Sequence, residues 1–251
     1  MQTVEQTARR RKSNAEKFLV LMLGGGVILA ALSFLFLRFG AESLSLSDIL
    51  NAFFAFDEGE FKHVIARDIR LPRLLADIIV GVSLAVAGAV MQGNTKNPMA
   101  DSGIMGISAG SVFAIVLMMA FLPDASRLER IGYSCLGALA ATLLIYGVAL
   151  LGHTGRSADR MVLSGMAIST LFSSVSSAVI LKSGNVNAMM KYTAGSSANT
   201  IWLDVGLSAP FFAAGLIAAL VMARSLTIMG LGDEVSRELG ANTRLIRLVG
   251  T

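Results

Sequence analysis

The sequence contains six apolar runs, each close to the length of about 20 residues that a helix needs to cross the hydrocarbon core of a bilayer. Backbone polar groups cannot stay unpaired in lipid, so runs of this kind fold as helices. The pattern predicts an all-α, polytopic transmembrane bundle with about six spans. They lie at Phe18–Leu37, Leu74–Gln92, Gly106–Leu122, Ile131–Leu151, Met161–Leu181 and Val205–Ala223.

Composition agrees with a membrane protein and argues against several other classes. Hydrophobic residues make up 54% of the 251 residues and charged residues 15%, against about a quarter charged in soluble domains. The basic residues that give the net charge of +4 lie between the apolar runs, as in membrane loops, so we expect no nucleic-acid partner. One cysteine, Cys135, and two distant histidines, His63 and His153, favour neither a disulfide nor a metal or histidine-based catalytic site.

The basic segment Arg9–Lys12 precedes the first apolar run and predicts a cytoplasmic N-terminus. That run is longer than the apolar region of a signal peptide, and no small-residue cleavage site follows it, so we interpret it as the first span. We therefore expect one transmembrane domain over residues 1–251. It has a basic cytoplasmic N-terminus (1–17), a membrane bundle (18–224) and a cytoplasmic segment (225–251).

The first outer loop departs from the positive-inside tendency, because it carries Lys62, Arg67, Arg70 and Arg73. Two explanations are equally good. Docking of an acidic partner would use outward positive charge. Alternatively, the arginines snorkel at a helix end, with Arg73 paired to Asp77 one turn later.

Small residues recur at every fourth position of the second span, at Gly81, Ala85, Ala89 and Gly93. In lipid such a face lets helix backbones approach closely. We therefore expect other helices to surround this span, and we expect the short third span to begin in a polar re-entrant bend.

One face of the fifth span carries a stripe of hydroxyl side chains at helical spacing, formed by Ser169, Ser173, Ser176 and Ser177. In a transporter such a stripe would line the path of a large ligand, offering hydroxyls but no charge. The competing explanation is interhelical packing, where serine is favoured for its small size.

After the sixth span, Gly232 precedes Asp233 and Glu234, which suit the first turn of a helix and its positive dipole end. Gly240 would end that helix, and Asn242 or Thr243 would cap a second short one. The segment predicts a rigid cytoplasmic pair of helices that contacts a soluble partner. An amphipathic loop lying on the lipid headgroups is the alternative.

Two enzyme motifs can be set aside. Gly106–Gly110 fits G-x-S-x-G, but the hydrolase elbow needs a preceding strand with His and acid partners, and a glycine packing face explains it better. The chain has no Gly-Lys dipeptide and hence no phosphate-binding loop, so any ATP used must be hydrolysed by another chain.

Two motifs carry a family resemblance. The first is R-L-P-R at Arg70–Arg73, followed by an apolar helix, Q-G-N-T-K-N-P-M-A and G-I-M-G-I-S-A-G. The second is A-R-S-L-T-I-M-G-L-G-D-E-V-S-R-E-L-G, from Ala223 to Gly240. Both resemble the permease family of ABC importers for iron–siderophore complexes, haem and cobalamin, over the chain from the first span to Thr251.

The resemblance implies roles for particular residues. The binding-protein docking arginines fall on Arg70 and Arg73. The cytoplasmic gate falls on Asn97, Pro98, Met99, Ser157 and Ala158, and the stripe of serines falls on the translocation path. Contacts with the ATP-binding subunit fall on Gly232, Asp233, Glu234, Leu239 and Gly240. Met99 stands where the family usually has leucine, and Ser102 where it often has proline, which leaves that bend less rigid.

The resemblance implies a permease subunit in a bacterial cytoplasmic membrane, with ferric siderophore as the first choice of ligand over haem or cobalamin. Its expected partners are an ATP-binding subunit, an extracellular or periplasmic substrate-binding protein, a second permease copy or sister subunit, and membrane lipid. We expect no cofactor. An ion-coupled carrier would need ionisable residues within the bundle, for which Asp77 is the one candidate.

The family continues through several more spans after the second motif, so we expect this chain to be a fragment or the product of a truncated gene.

Overall fold

The computed structural model describes residues 2–95, 97–101, 103, 106–150, 158–184 and 186–230. Within these residues the chain is helical, without strands. The helices are α1 (Gln2–Arg38), α2 (Leu46–Phe54), α3 (Phe61–Val64), a π-helical turn (Ile65–Arg70), α4 (Leu71–Thr95), α5 (Ile107–Phe121), α6 (Arg127–Leu150), α7 (Ala158–Lys182), α8 (Val186–Thr193) and α9 (Trp202–Gly230).

Five of these helical stretches are long and apolar enough to cross a membrane: Glu16–Arg38, Phe61–Thr95, Arg127–Val148, Val162–Lys182 and Trp202–Ile228. The all-α, multi-span prediction is therefore confirmed. The helix for the third predicted span, α5, has 15 residues and a length of about 22 Å, shorter than a bilayer core. Gly106 adopts a left-handed conformation (φ 80°) directly before α5, and the polar re-entrant bend expected there stays a prediction.

The described residues form two compact units. The first comprises Met1–Leu75 with Thr200–Trp202. Its core lies where the end of α1 meets α2 and the π-helical turn. Buried side chains from α2, from the segment before it and from the turn pack there with Phe34 and Leu37 of α1; they are Leu44, Ile49, Ala52, Ile65 and Ala66. The Trp202 indole also donates to the carbonyl of Arg67, at 3.1 Å.

The arginine-rich segment that we predicted to be a loop is helical instead. Arg67 and Arg70 lie in the π-helical turn, and Arg73 lies in α4. Pro72 lies two residues after the π-helical turn and has no N–H to donate. The wider turn accommodates it, because the Leu71 N–H bonds to the Ala66 carbonyl five residues back. The helix thus begins well before Leu74.

The second unit comprises the described residues of Ala76–Asn199 and Leu203–Thr251. Helices α5, α6 and α7 pack side by side in it. The closest approach is between α5 and α6, where a Cβ added to Gly110 would lie 2.6 Å from the carbonyl oxygen of Gly137. Ser111 and Ser134 add a hydroxyl contact of 2.5 Å between the same helices. Gly110 is therefore a packing residue, as the sequence predicted.

The small-residue face of α4 is only partly in contact. A Cβ on Gly93 would meet Leu226 of α9 at 3.5 Å, whereas one on Gly81 would meet nothing within 4 Å. Helix contact along this face is thus confirmed at Gly93, and at Gly81 the described residues leave open space.

Candidate functional site

A cavity of about 490 Å³ lies among α5, α7 and α8 in the second unit. Hydroxyl side chains from three helices line it, and none of the described residues in its wall is charged. They are Ser108 of α5, Ser173, Ser176 and Ser177 of α7, and Thr193 of α8. The rest of the wall is aliphatic, including Val112 and Ile180. Neutral hydroxyls in an apolar wall can hydrogen-bond a polar ligand without holding it by charge.

The predicted serine stripe divides between this cavity and the helix interface. Ser173 and Ser177 are exposed, and Ser176 is 5% exposed, with no hydrogen-bond partner for its Oγ among the described residues. Ser169 does not line the cavity. Its hydroxyl donates to the Gly165 carbonyl at 2.7 Å and lies beside Gly106, so it serves packing.

Helix α8 forms one wall of the cavity and is held from two sides. On the inner side, the fully buried Met189 packs against Val116 of α5 and Ile180 of α7. At its end, the Arg130 guanidinium of α6 donates to the Tyr192 hydroxyl at 2.6 Å and lies over the same ring. A short helix of eight residues is marginal without such contacts.

The same end of the second unit is tied to α9. Arg127 of α6 pairs with Asp204 of α9 at 2.5 Å. These bonds bring Arg127, Arg130 and Tyr192 to one end of the unit.

A second cavity, of about 520 Å³, lies between α4 and α9 and is almost entirely apolar. Its two hydroxyls are used locally, since Ser83 donates to the Ile79 carbonyl and Ser208 to that of Asp204, each at 2.7 Å. In the serine cavity Ser177 and Thr193 also donate locally, to the carbonyls of Ser173 and Met190. Hydroxyls from three helices converge there, however, and the Oγ of Ser176 has no partner among the described residues, so this cavity is the better candidate for a polar ligand.

The predicted gate residues Asn97, Pro98 and Met99 form a tight turn after α4. The Met99 N–H donates to the Asn97 side chain at 2.9 Å, and the Ala100 N–H to the Asn97 carbonyl at 3.1 Å. This side-chain turn fixes the loop locally, and it leaves Met99 82% exposed. Ser157 lies outside the described residues. Ala158 is the first residue of α7, and its side chain lies outside them too.

The two predicted docking arginines differ in environment. Arg70 is 6% exposed, and its guanidinium donates to the carbonyl of Leu37 at 2.6 Å and to that of Glu42. Arg73 is half-buried one turn later. Arg70 therefore ties the end of α1 and the following loop to the π-helical turn, a role that the sequence did not reveal.

The predicted coupling residues lie outside the described residues, which end with Gly230 in α9. They are Gly232, Asp233, Glu234, Leu239 and Gly240.

Sequence reasoning found the α7 side of the cavity and missed Ser108 and Thr193. Ser108 lies one helical turn before Val112, another lining residue, and as a hydroxyl in the apolar third span it could have been noticed in the sequence. No local pattern identifies Thr193, because α8 reaches the cavity through tertiary contacts, the packing of Met189 and the Arg130–Tyr192 contact.

The comparisons with known proteins agree on one family. The sequence pattern of the FecCD transport family matches residues 28–251. The chain is 33% identical to the iron(3+)-hydroxamate import system permease protein FhuB of Bacillus subtilis, over 92% of this chain and 60% of that protein. It is 35% identical to the Fe(3+)-citrate import system permease protein YfmD of the same organism, over 97% of this chain and 71% of that protein.

Among solved structures, a transporter assigned to the metal-chelate ABC type, in an inward-facing conformation, matches with a TM-score of 0.73 and 24% identity, over 92% of this chain and 71% of that one. This likeness supports the fold. With the family pattern matched from residue 28 to residue 251, and with relatives above 30% identity over most of its length, the chain belongs to the FecCD transport family.

Proposed function

We propose that the chain is the membrane-spanning permease subunit of an ATP-driven importer, and that it carries iron(III) bound to an organic chelator. The serine cavity is the part of the path that this chain contributes. Its hydroxyls, and the lack of charge among the lining residues that the structure describes, suit a bulky polar chelate that has to pass and be released. The relatives named for iron(3+)-hydroxamate and Fe(3+)-citrate import point to the same class of ligand.

The partners follow from this role. A separate ATP-binding subunit hydrolyses ATP and engages the segment of Gly232, Asp233, Glu234, Leu239 and Gly240. A substrate-binding protein delivers the chelate at the outer surface, where Arg73 offers charge and Arg70 fixes the backbone beside it. A second permease copy or sister subunit completes the path, in a bacterial cytoplasmic membrane.

Alternating access would use two constrictions. The first is at one end of the serine cavity and is formed by α8, which the Arg130–Tyr192 contact holds in place. At the cytoplasmic side, the turn Asn97–Met99 narrows the path together with Ser157 and Ala158. ATP binding in the partner subunits shifts the coupling segment, and the helices that carry these constrictions open in turn.

Two leucine variants of α7 test the path. Ser173 lines the cavity, whereas the neighbouring Ser174 is exposed on another face, with its hydroxyl donating to Thr170. In vesicles that contain the complete importer, Ser173→Leu should lower chelate uptake several-fold and leave assembly intact. Ser174→Leu should transport normally. Equal uptake by both variants would show that the stripe serves packing alone.

Docking is tested separately through ATP hydrolysis. Arg73→Glu should abolish stimulation of ATPase activity by the loaded binding protein, because it opposes an acidic partner surface. Lys191→Glu, an exposed charge at α8, is the matched control and should leave stimulation unchanged. Full stimulation of the Arg73→Glu complex would contradict docking at this position.

A further inference from the structure

Helix α2 carries more apolar surface than the protein covers. Ile49 and Ala52 are buried in the core of the first unit, but large apolar side chains beside them are exposed: Leu46, Leu50, Phe53 and Phe54. At 3.6 residues per turn these four lie within an arc of about 100°. Phe54 is 87% exposed and Leu50 47%. Exposed apolar surface gathered on one helix face marks an interaction site.

Three contacts fix the rotation of α2 about its axis. Ile49 and Ala52 point into the core beside Phe34 and Leu37 of α1. On the polar side, Asp48 pairs with Lys62 of α3 at 3.2 Å. The exposed apolar arc lies between the buried side and the polar residues Ser47 and Asn51, so it cannot turn inward without breaking these contacts.

The depth of α2 follows from its partner. Phe34 and Leu37 belong to the last turns of the spanning stretch Glu16–Arg38. A helix packed on the end of a membrane span lies at the level where hydrocarbon meets headgroups. The apolar side chains of α1, among them Leu29 and Leu32, are exposed along that span. In a membrane span such side chains meet lipid, and the arc on α2 lies beside the end of that span.

We propose that α2 is an interfacial helix whose face of Leu46, Leu50, Phe53 and Phe54 inserts into the phospholipid leaflet at which α1 ends. Such helices bury their apolar face about 5–10 Å into the boundary between headgroups and acyl chains. Insertion holds α2 at a fixed depth. It also anchors the loop that Arg70 ties to the π-helical turn through the carbonyls of Leu37 and Glu42.

Spin labels at two neighbouring positions test this in the full chain, reconstituted in phospholipid nanodiscs. The chain has one cysteine, so Cys135→Ser gives a label-free background. Leu50→Cys places the label at the middle of the apolar arc. Asn51→Cys, one residue and about 100° further round the helix, is the matched control. Collision rates with oxygen, which dissolves in lipid, and with a water-soluble nickel chelate are measured at both sites.

We expect the ratio of oxygen to nickel-chelate collisions to be several-fold higher at residue 50 than at residue 51, because one label lies in lipid and the other in water. Similar ratios typical of water at both sites would overturn the proposal. Low collision rates with both agents at residue 50 would also overturn it, since protein, either a second copy or a partner, would then cover the face. Melting curves of both labelled variants verify that they are folded.

Discussion

The carbonyl oxygen of Gly137 in α6 lies 2.6 Å from the point where a Cβ on Gly110 in α5 would stand, and a Cβ on Gly137 would in turn meet the Gly110 carbonyl and the Ala114 side chain. Backbone atoms cannot rotate away as the end of a flexible side chain can. The two helices are therefore in backbone contact here, which in lipid supplies the van der Waals attraction that holds spans together.

Alanine at this crossing should force α5 and α6 apart. We expect Gly137→Ala to lower the free energy of unfolding by roughly 1–3 kcal/mol, the usual effect of overpacking. Gly132→Ala in the same helix is the control, because its Cβ would meet nothing within 4 Å. It should be neutral, or stabilising by about 0.5–1 kcal/mol. Thermal unfolding in detergent, followed by circular dichroism, measures both, and equal melting temperatures would contradict the close approach.

Removing the Arg70 guanidinium should destabilise the first unit. Arg70→Gln loses the bonds to Leu37 and Glu42, each worth about 1.5–3 kcal/mol for a charged donor. Arg67→Gln should have a smaller effect of about 0.5–1 kcal/mol, since exposed Arg67 mainly lies over the Phe56 ring at 4.5 Å. Denaturant unfolding can be followed through the fluorescence of Trp202, the one tryptophan of the chain. Equal midpoints for the two variants would refute a structural role for Arg70.

Loss of the Tyr192 hydroxyl should loosen α8 without unfolding the bundle. Tyr192→Phe removes the hydrogen bond from Arg130 and keeps the ring, at an expected cost of about 0.5–1.5 kcal/mol. Amide hydrogen exchange over Val186–Thr193 should accelerate several-fold, with α6 and α7 unchanged. Tyr133→Phe, a more distant exposed tyrosine of α6, should leave exchange in α8 as it is. Unchanged exchange in the Tyr192 variant would mean that Met189 alone holds the helix.

The start of α2 should depend on pH through Asp48. Hydrogen bonds from the Ser45 backbone and side chain, and then Lys62, lower the pKa of Asp48 to about 2. Because the folded-state pKa lies below the ordinary value, the stabilisation is fully present above about pH 4. It is lost as the pH falls through 2. Side-chain carbon NMR of labelled aspartate should show this low titration, and Ser45→Ala should raise the pKa towards its usual range. A pKa near 4 in the unaltered chain would contradict the capping geometry.

Much of the fold was predictable from the sequence, because spans are set by the length and composition of local runs. Lipid permits few alternatives to a helix for an apolar run of that length. The prediction of a loop at Arg67–Arg73 was wrong, because charged residues and a proline are typical of loops. In the structure a π-helical turn accommodates Pro72, and the helix continues through the segment.

The candidate site was predictable on one helix. Ser173, Ser176 and Ser177 share a face by helical periodicity, and all three line the cavity. Periodicity could not show that Ser169 belongs to the packing around Gly106, nor that Ser108 and Thr193 complete the wall, since these depend on how three helices meet.

By itself the sequence determined the α-helical class, the approximate position of most spans and the side of α7 that carries hydroxyls, because each depends on local composition and spacing. The tertiary structure alone decided that Arg70 bonds to the carbonyls of Leu37 and Glu42, that Met189 and Tyr192 hold α8 against the cavity, and that α2 leaves an apolar face uncovered. These relationships join residues far apart in the chain. Their energies come from burial and hydrogen bonds that exist only once the helices have packed.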